Sequence, residues 1–296
     1  MAVRDAVLLV DKGPGITSFD CLSRIKRNVN KKTGHCGTLD KFAHGLLVVL
    51  CGCYTHMVPA FMGLDKTYEA VIEFGKMTMT LDPEGEVIET APVPSEEIVR
   101  KAVSEMIGQI DQVPPAYSAI HVNGKRSYQM ARDGETDLEL KARPVIIHTA
   151  EILSWAAPYL TIRLHVSKGT YIRSYARDLG HACGSCAYVK SLYRTEIGPF
   201  SVDEAIRYDD ENAMAMPPDP EKLLARLPGC TSLEISEEEA FKASNGYVMP
   251  SVKKRLPEDS SFAILKNGGK TICIYSVREN RIMCQVRNDE DFIRFN

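Results

Sequence analysis

The chain is organised around the turn GHCGTLD at residues 34–40, which leads into the apolar run LLVVL at residues 46–50. Glycines bound this turn and permit backbone conformations and close approaches that larger residues resist. An apolar run of this length beside a glycine-bounded turn is typical of a buried strand. Such a turn can aim the carboxylate of Asp40 at a substrate, although an aspartate can also cap a turn without binding any ligand.

Length and composition point to a globular protein inside a cell. The 296 residues suit one large domain with a small one, or two of middling size, and an apolar fraction of 44% is ample for a core. We find no charged-then-apolar leader and no apolar run long enough to cross a bilayer, so we expect a cytoplasmic protein without membrane contacts. Nine cysteines without a leader indicate reduced thiols.

Two closely spaced cysteine pairs raise the question of zinc. They are Cys51-x-Cys53 and Cys183-x-x-Cys186. No second C-x-x-C pair lies at the spacing of a zinc ribbon, and the first pair falls in or just after the apolar run. We therefore expect no metal site.

The net charge of −3 hides a segregation of charge along the chain. Counting Lys and Arg against Asp and Glu gives +4 for residues 1–35, +5 for residues 141–200 and −8 for residues 203–239. Basic regions of this kind can bind a polyanion on one face, and they can equally be ordinary solvated surface.

Periodicity predicts the main elements of the first two hundred residues. Apolar alternation indicates strands at residues 68–75 and 160–166, and helical spacing follows Ile172, which places Arg173 in the first turn of a helix. The other predictions are a strand at residues 6–10, a helix capped by Thr17 or Ser18, a helix starting at Ser95, and an exposed arm at about residues 119–142.

The last ninety residues differ in composition. Residues 208–229 are acidic and contain four prolines, which is typical of a linker. Three short β-rich runs follow, at residues 262–265, 271–277 and 282–286, and predict a small barrel of hairpins.

Seven short segments, in order, resemble the TruB-type pseudouridine synthases, which isomerise a uridine in the TΨC arm of tRNA. The segments are KGPGITS (12–18), GHCGTLD (34–40), DKTY (65–68), PPAYS (114–118), VNGKRSY (122–128), SKGTYIR (167–173) and LYRTEIGPF (192–200). The resemblance implies an α+β fold with a mixed, largely antiparallel sheet flanked by helices. It implies a catalytic domain at residues 1–230, including the arm, and a small β-rich, PUA-like RNA-binding domain at residues 231–296.

The resemblance also implies the chemistry. A stand-alone, monomeric enzyme would convert uridine 55 to pseudouridine, with tRNA as its partner and no cofactor, because the isomerisation is redox-neutral. Asp40 matches the essential aspartate, which either attacks C1′ or removes a ribose proton; the sequence does not separate these routes. Arg173 matches its cationic partner, and Tyr68 matches the tyrosine that stacks on uracil and takes the C5 proton.

Further positions match residues that contact RNA or line the pocket. They are His35, Tyr171, Leu192, Lys12, Lys125, Arg126 and Lys168. Each has a plain structural alternative: a histidine or tyrosine in a packed core, or a lysine on a solvated surface.

Two other functions stay open on the sequence alone. A protein on this scaffold could bind or fold tRNA without catalysis, or it could be the catalytic subunit of a guide-RNA-dependent ribonucleoprotein. Intact Asp40, Tyr68 and Arg173 disfavour the first alternative, and the absence of long basic tails disfavours the second.

Overall fold

The computed structural model describes residues 4–118, 121–122, 125–126, 140–215 and 217–286. In chain order the strands are β1 (Ala6–Lys12), β2 (Thr33–His35), β3 (His44–Cys51), β4 (Lys66–Phe74), β5 (Lys76–Thr78), β6 (Val87–Thr90), β7 (Gly108–Gln112), β8 (His121–Val122), β9 (Lys125–Arg126), β10 (Arg143–Ala156), β11 (Tyr159–Val166), β12 (Ala187–Ile197), β13 (Phe200–Ser201), β14 (Ile206–Arg207), β15 (Cys230–Glu234), β16 (Phe262–Asn267), β17 (Lys270–Ser276) and β18 (Arg281–Gln285). The helices are α1 (Ser18–Asn28), α2 (Val58–Met62), α3 (Glu96–Glu105), α4 (Ile172–Ala182), α5 (Glu211–Ala215), α6 (Pro220–Leu224), α7 (Glu237–Ser244) and α8 (Pro250–Lys253), with short 3-10 helices at Gly52–Met57 and Val202–Glu204.

Among these, ten strands form one mixed sheet. Its main path runs β14-β1-β3-β12-β4-β11-β10-β7, with β2 on β3 and β13 on β12. Only the β1–β14 and β3–β12 pairs of this sheet are parallel over the described residues. The predicted α+β class, with a mixed and largely antiparallel sheet, is therefore confirmed.

Strand β3 is buried on both faces. Leu46, Val48 and Leu50 enter one apolar cluster, whereas Leu47 and Val49 enter another on the opposite face. A strand with apolar side chains on both faces reads as a continuous apolar run, which is the pattern that predicted it. The turn carrying Asp40 is thus attached to the best-buried strand of the sheet.

Helices cover the sheet where the sequence predicts them. Ile172, Tyr175 and Leu179 of α4 pack against the inward side chains of β4 and β11, in a cluster that also includes Val99 and Val103 of α3. Thr17 caps α1 in a capping box with Asp20, and the apolar stripe of α1 packs on β1 and β3. These elements confirm the periodicity-based predictions.

The C-terminal region is β-rich, as predicted, but its described strands do not close into a barrel. Its described strands form an open four-stranded sheet in the order β15-β16-β17-β18, with β15 parallel to β16. Ile264, Ile274 and Met283 of this sheet share an apolar cluster with Leu46 and Leu50 of β3. The two sheets are therefore joined by a common core.

Two expectations about this junction are wrong. Residues 208–229 are not a free linker, because Leu223, Leu224 and Leu227 are buried in the cluster that joins the two sheets. Cys53 and Cys284, 231 positions apart in sequence, form a disulfide that was not expected, whereas the other seven cysteines are free thiols, as expected. Neither the burial nor the pairing depends on local sequence, so neither could be predicted from it.

Within the described ranges no group of three or more His, Cys, Asp or Glu side chains is placed to hold a metal ion. None of the described helices is long and apolar enough to cross a membrane. The predicted arm at residues 119–142 lies largely outside the described residues; inside it, β8 pairs with β9.

Gly45, at the start of β3, provides a test of the close approach between β3 and β12. Its φ is +105°, and a Cβ there would lie 2.3 Å from the carbonyl oxygen of Arg194. We expect Gly45→Ala to lower the free energy of unfolding by about 3 kcal/mol, from backbone strain and overpacking together. Urea denaturation measures this change.

Gly15→Ala is the matched control. Gly15 also has a positive φ, +81°, but nothing lies within 4 Å of the position of its Cβ. Its loss should be only about 1 kcal/mol, since strain acts there without a clash. Equal losses in the two variants would contradict the close approach of β12 to Gly45.

Candidate active site

The turn that carries Asp40 is fixed by hydrogen bonds from the start of α1 and from the loop that precedes it. Ser18 at the start of α1 bonds both main-chain groups of Leu39, accepting from its N–H at 2.9 Å and donating to its carbonyl at 3.0 Å. The main-chain N–H of Gly15 donates to the carbonyl of Lys41 at 2.8 Å. The backbone on both sides of Asp40 is thus held against the start of α1.

Lys12 belongs to this framework and is not presented to RNA. Its side chain is fully buried, and its Nζ donates to the carbonyls of Gly13, Ile16 and Ala43 at 3.0, 2.7 and 2.6 Å. Burial lowers the pKa of Lys12 to about 8. The expectation that Lys12 binds RNA is corrected: its ammonium donates to the carbonyl of Ala43, just after the Asp40 turn, and to two carbonyls of the loop before α1.

Arg173 lies at the base of the site and pairs with Asp40. Its Nε lies 3.0 Å from Oδ2 of Asp40, and its Nη2 donates to Oδ1 at 3.2 Å. The remaining Nη hydrogens reach the carbonyls of Thr80 and Tyr117, at 2.9 and 2.8 Å, and Oδ2 of Asp82 at 3.1 Å. The guanidinium is only 5% exposed, so this fork-like pairing fixes the orientation of the Asp40 carboxylate.

Asp82 is a functional candidate that sequence reasoning missed. Its side chain is 5% exposed, and its Oδ1 accepts hydrogen bonds from Thr80 Oγ1 and from the main-chain N–H of Glu84. The sequence does contain a signal for Asp82: the triplet Thr-Leu-Asp that includes Asp40 at residues 38–40 occurs again at residues 80–82. Arg173 therefore bridges two carboxylates, and only that of Asp40 faces the cavity described next.

A cavity of about 350 Å³ opens beside this pair. Asp40, Tyr68, Tyr171, Arg173 and Leu192 all line it, as do Lys66 and Arg194. Its volume lies near the lower end of the range for small-ligand sites, and a mixed wall of two tyrosines, a leucine and a carboxylate suits a flat polar ring. The structure thus brings five of the sequence-selected residues to one place.

Two tyrosines in the wall are positioned differently. Tyr68 projects from β4 and is 8% exposed. Tyr171 precedes α4, and its main-chain N–H and carbonyl form a reciprocal pair with the side chain of Gln112, at 2.8 and 3.1 Å. Burial raises the pKa of the Tyr171 hydroxyl, which therefore stays protonated.

The other expected RNA contacts do not all reach the cavity. His35, on β2, is absent from its lining; burial lowers the pKa of its ring, whose Nδ1 is buried without a partner in the described part of the chain. Lys168 is exposed, between the lining residues Ser167 and Gly169. Lys125 and Arg126 form β9, and their side chains lie outside the described residues.

Burial and the nearby cations shift the pKa of the Asp40 carboxyl in opposite directions. Burial raises the pKa of the Asp40 carboxyl, the Arg173 guanidinium opposes the rise, and Asp82 adds to it. The side chain is nevertheless 37% exposed, towards the cavity. A carboxylate that is paired yet incompletely stabilised can act as a nucleophile or base.

Comparisons with known proteins identify the family of this chain. A sequence profile described as TruB family pseudouridylate synthase, N-terminal domain, matches residues 26–172. The tRNA pseudouridine synthase B of Caulobacter sp. (strain K31) is 36% identical over 289 residues, covering 95% of this chain and 92% of that protein. The chain belongs to the TruB family of pseudouridylate synthases. The TruB-family protein of Borreliella afzelii (strain PKo), also named tRNA pseudouridine synthase B, is 42% identical over 207 residues, 69% of this chain and 73% of its own.

Among solved structures, the TruB fold extends to more distant proteins. A structure titled H/ACA RNP bound to a substrate RNA containing 2'-deoxyuridine aligns with a TM-score of 0.65 over 97% of this chain and 86% of that chain, at 20% identity. Identity at this level shows a shared fold only.

Asp82 offers a test of the two-carboxylate bridge. We expect Asp82→Asn to lower turnover on the order of 100-fold with little loss of RNA affinity, because Arg173 loses a buried partner that orients it towards Asp40. Single-turnover rates and filter-binding constants separate the two effects.

Glu84→Gln is the control for Asp82→Asn, because the Glu84 side chain is 46% exposed and, among the described residues, pairs only with Lys41, at 3.9 Å. It should behave like the wild-type protein. An Asp82→Asn variant that binds and turns over normally would rule out the bridge as part of the site.

Proposed function

We propose that this protein is a tRNA pseudouridine synthase that isomerises uridine 55 in the TΨC arm, with Asp40 as the catalytic carboxylate. The observation that carries the proposal is the buried Arg173 fork on Asp40, at the wall of a cavity that Tyr68 and Leu192 also line. Membership of the TruB family and the names of its relatives support the same reaction.

The reaction breaks the N1–C1′ glycosidic bond, turns the uracil, and joins C5 to C1′. The C5 proton leaves and N1 gains a proton, so atoms and electrons balance without an oxidant or reductant. Positive charge develops at C1′ as N1 departs, and the Asp40 carboxylate lies where it can stabilise that charge. Attack on C1′ and removal of a ribose proton are both open to this carboxylate.

Each neighbour of Asp40 has a proposed part in these steps. Arg173, held by Asp82 and by the carbonyls of Thr80 and Tyr117, keeps the carboxylate ionised and aimed. Tyr68 stacks on the uracil and takes the C5 proton. Tyr171 and Leu192 close the pocket around the ring, which reaches it only after eversion from the RNA loop.

The remaining assignments concern RNA outside the cavity. Lys168 is exposed beside the pocket and would meet a phosphate, as would Lys125 and Arg126. We propose a catalytic domain at residues 1–230 and an RNA-binding, PUA-like domain at residues 231–296, acting together as a cytoplasmic monomer. The shared core of the two sheets supports a fixed arrangement of these parts.

Tritium release from tRNA labelled at uracil C5 tests the proposed reaction. The wild-type protein alone should release tritium to water, because the new C5–C1′ bond displaces the label. Asp40→Asn should reduce the rate by at least about 1,000-fold, since an amide neither attacks C1′ nor accepts a proton. Its tRNA affinity should change little.

The alternatives predict different outcomes of this experiment. A binding protein or tRNA-folding factor would bind tRNA without releasing tritium. A guide-dependent enzyme would stay inactive until guide RNA and partner proteins are added. Either result would refute the stand-alone synthase.

Salt dependence tests the phosphate contact of Lys168. Affinity for tRNA should fall steeply with salt despite the net charge of −3, and Lys168→Ala should make the slope of log K against log salt shallower by about one. Lys101, whose Nζ lies 3.8 Å from Glu105 on α3, provides the control substitution, because its charge is already paired. A slope unchanged by Lys168→Ala would exclude this contact.

A further inference from the structure

Arg194 of β12 is a buried cation that bonds the main chain on both sides of Asp40. It is 1% exposed. Its Nη2 donates to the carbonyl of Gly37 at 3.1 Å, and its Nε donates to the carbonyl of Leu46 at 2.7 Å. One side chain thus holds the segment that leads into Asp40 and the strand that leaves it.

The position of Arg194 in the sheet explains this reach. Its backbone is opposite Gly45 of β3 on one side and Tyr68 of β4 on the other. Glycine at position 45 leaves room for the backbone of Arg194, because a Cβ at this position would overlap that backbone. Arg194 also lines the cavity, together with Asp40 and Tyr68.

In the part of the chain that the structure describes, the charge of Arg194 has no carboxylate partner of its own. Among the described residues its hydrogen bonds go to main-chain carbonyls, and no Asp or Glu oxygen lies within ion-pairing distance. Burying an unpaired cation costs free energy. Neutral donors could form the hydrogen bonds to these two carbonyls. Holding the main chain in place therefore does not by itself require a charged side chain at position 194.

We infer that Arg194 is a positioning residue for Asp40: its two hydrogen bonds fix the place of the catalytic turn, and its buried charge, in the wall of the same cavity, favours the ionised Asp40 carboxylate. This role rests on the proposed function, in which the ionised carboxylate acts at C1′.

Four charged groups act on Asp40, from different elements. Arg173 of α4, Lys12 of β1 and Arg194 favour the ionised carboxylate, whereas Asp82 disfavours it. Burial raises the pKa of Asp40, and these three cations limit the rise. Removing the positive charge of Arg194 should therefore raise this pKa further, and the ionised form should be lost at a higher pH as the solution is acidified.

Two substitutions separate the charge from the hydrogen bonds. Arg194→Gln keeps a donor and removes the charge, whereas Arg194→Lys keeps the charge and loses the fork that spans two carbonyls. We would measure single-turnover tritium release from C5-labelled tRNA between about pH 5 and 9, together with tRNA affinity and thermal midpoint, for the wild-type protein and both variants.

We expect Arg194→Gln to lower the rate about 10-fold or more at neutral pH, with tRNA affinity within about twofold, and to move the acidic limb of the profile up by about half a pH unit or more. Arg194→Lys should lower the rate with its acidic limb unmoved. Arg194→Lys should thus keep the wild-type pH profile but lose the two hydrogen bonds that position the turn.

Other results would overturn the inference. They are an Arg194→Gln profile that superimposes on the wild-type profile, or losses confined to the thermal midpoint or to RNA affinity. If Arg194→Gln does not fold, Arg194→Lys decides, since a wild-type rate in that variant would remove the positioning role. Absence of tritium release by the wild-type protein would instead refute the proposed function itself.

Discussion

The arrangement of the active site depends on the burial of one guanidinium, that of Arg173. A buried cation needs acceptors for its hydrogens and a counter-charge, and both come from segments distant in sequence. Asp40 and Asp82 supply the charge, and the carbonyls of Thr80 and Tyr117 complete the set. Satisfying this one group therefore gathers α4, the loop after β5, the segment after β7 and the Asp40 turn around a single cavity.

The elements that sequence reasoning predicted correctly are those whose signal is local. The two-sided burial of β3, the alternation of Tyr68, Ala70 and Ile72 on β4, and the capping box at Thr17 are each written in fewer than ten consecutive residues. The errors concern pairings over long distances. The junction that buries Leu223 and joins Cys53 to Cys284 leaves no local pattern.

The same division applies to the site. Asp40, Tyr68 and Arg173 were selected by resemblance, and the structure places them in one cavity. Lys12 was assigned to RNA binding by resemblance, whereas its ammonium donates hydrogen bonds to three main-chain carbonyls of neighbouring loops. Asp82 was missed because a buried carboxylate in a turn looks the same in sequence whether it caps the turn or pairs with Arg173.

The apolar cluster shared by the two sheets limits how this protein can be divided. A truncation before β15 would strip Ile264, Ile274 and Met283 from the surface of the larger sheet and leave Leu224 facing water. Such a fragment would expose a large apolar patch and tend to aggregate. The small sheet is thus an integral part of the folding unit, and experiments on the isolated N-terminal part would report on a damaged protein.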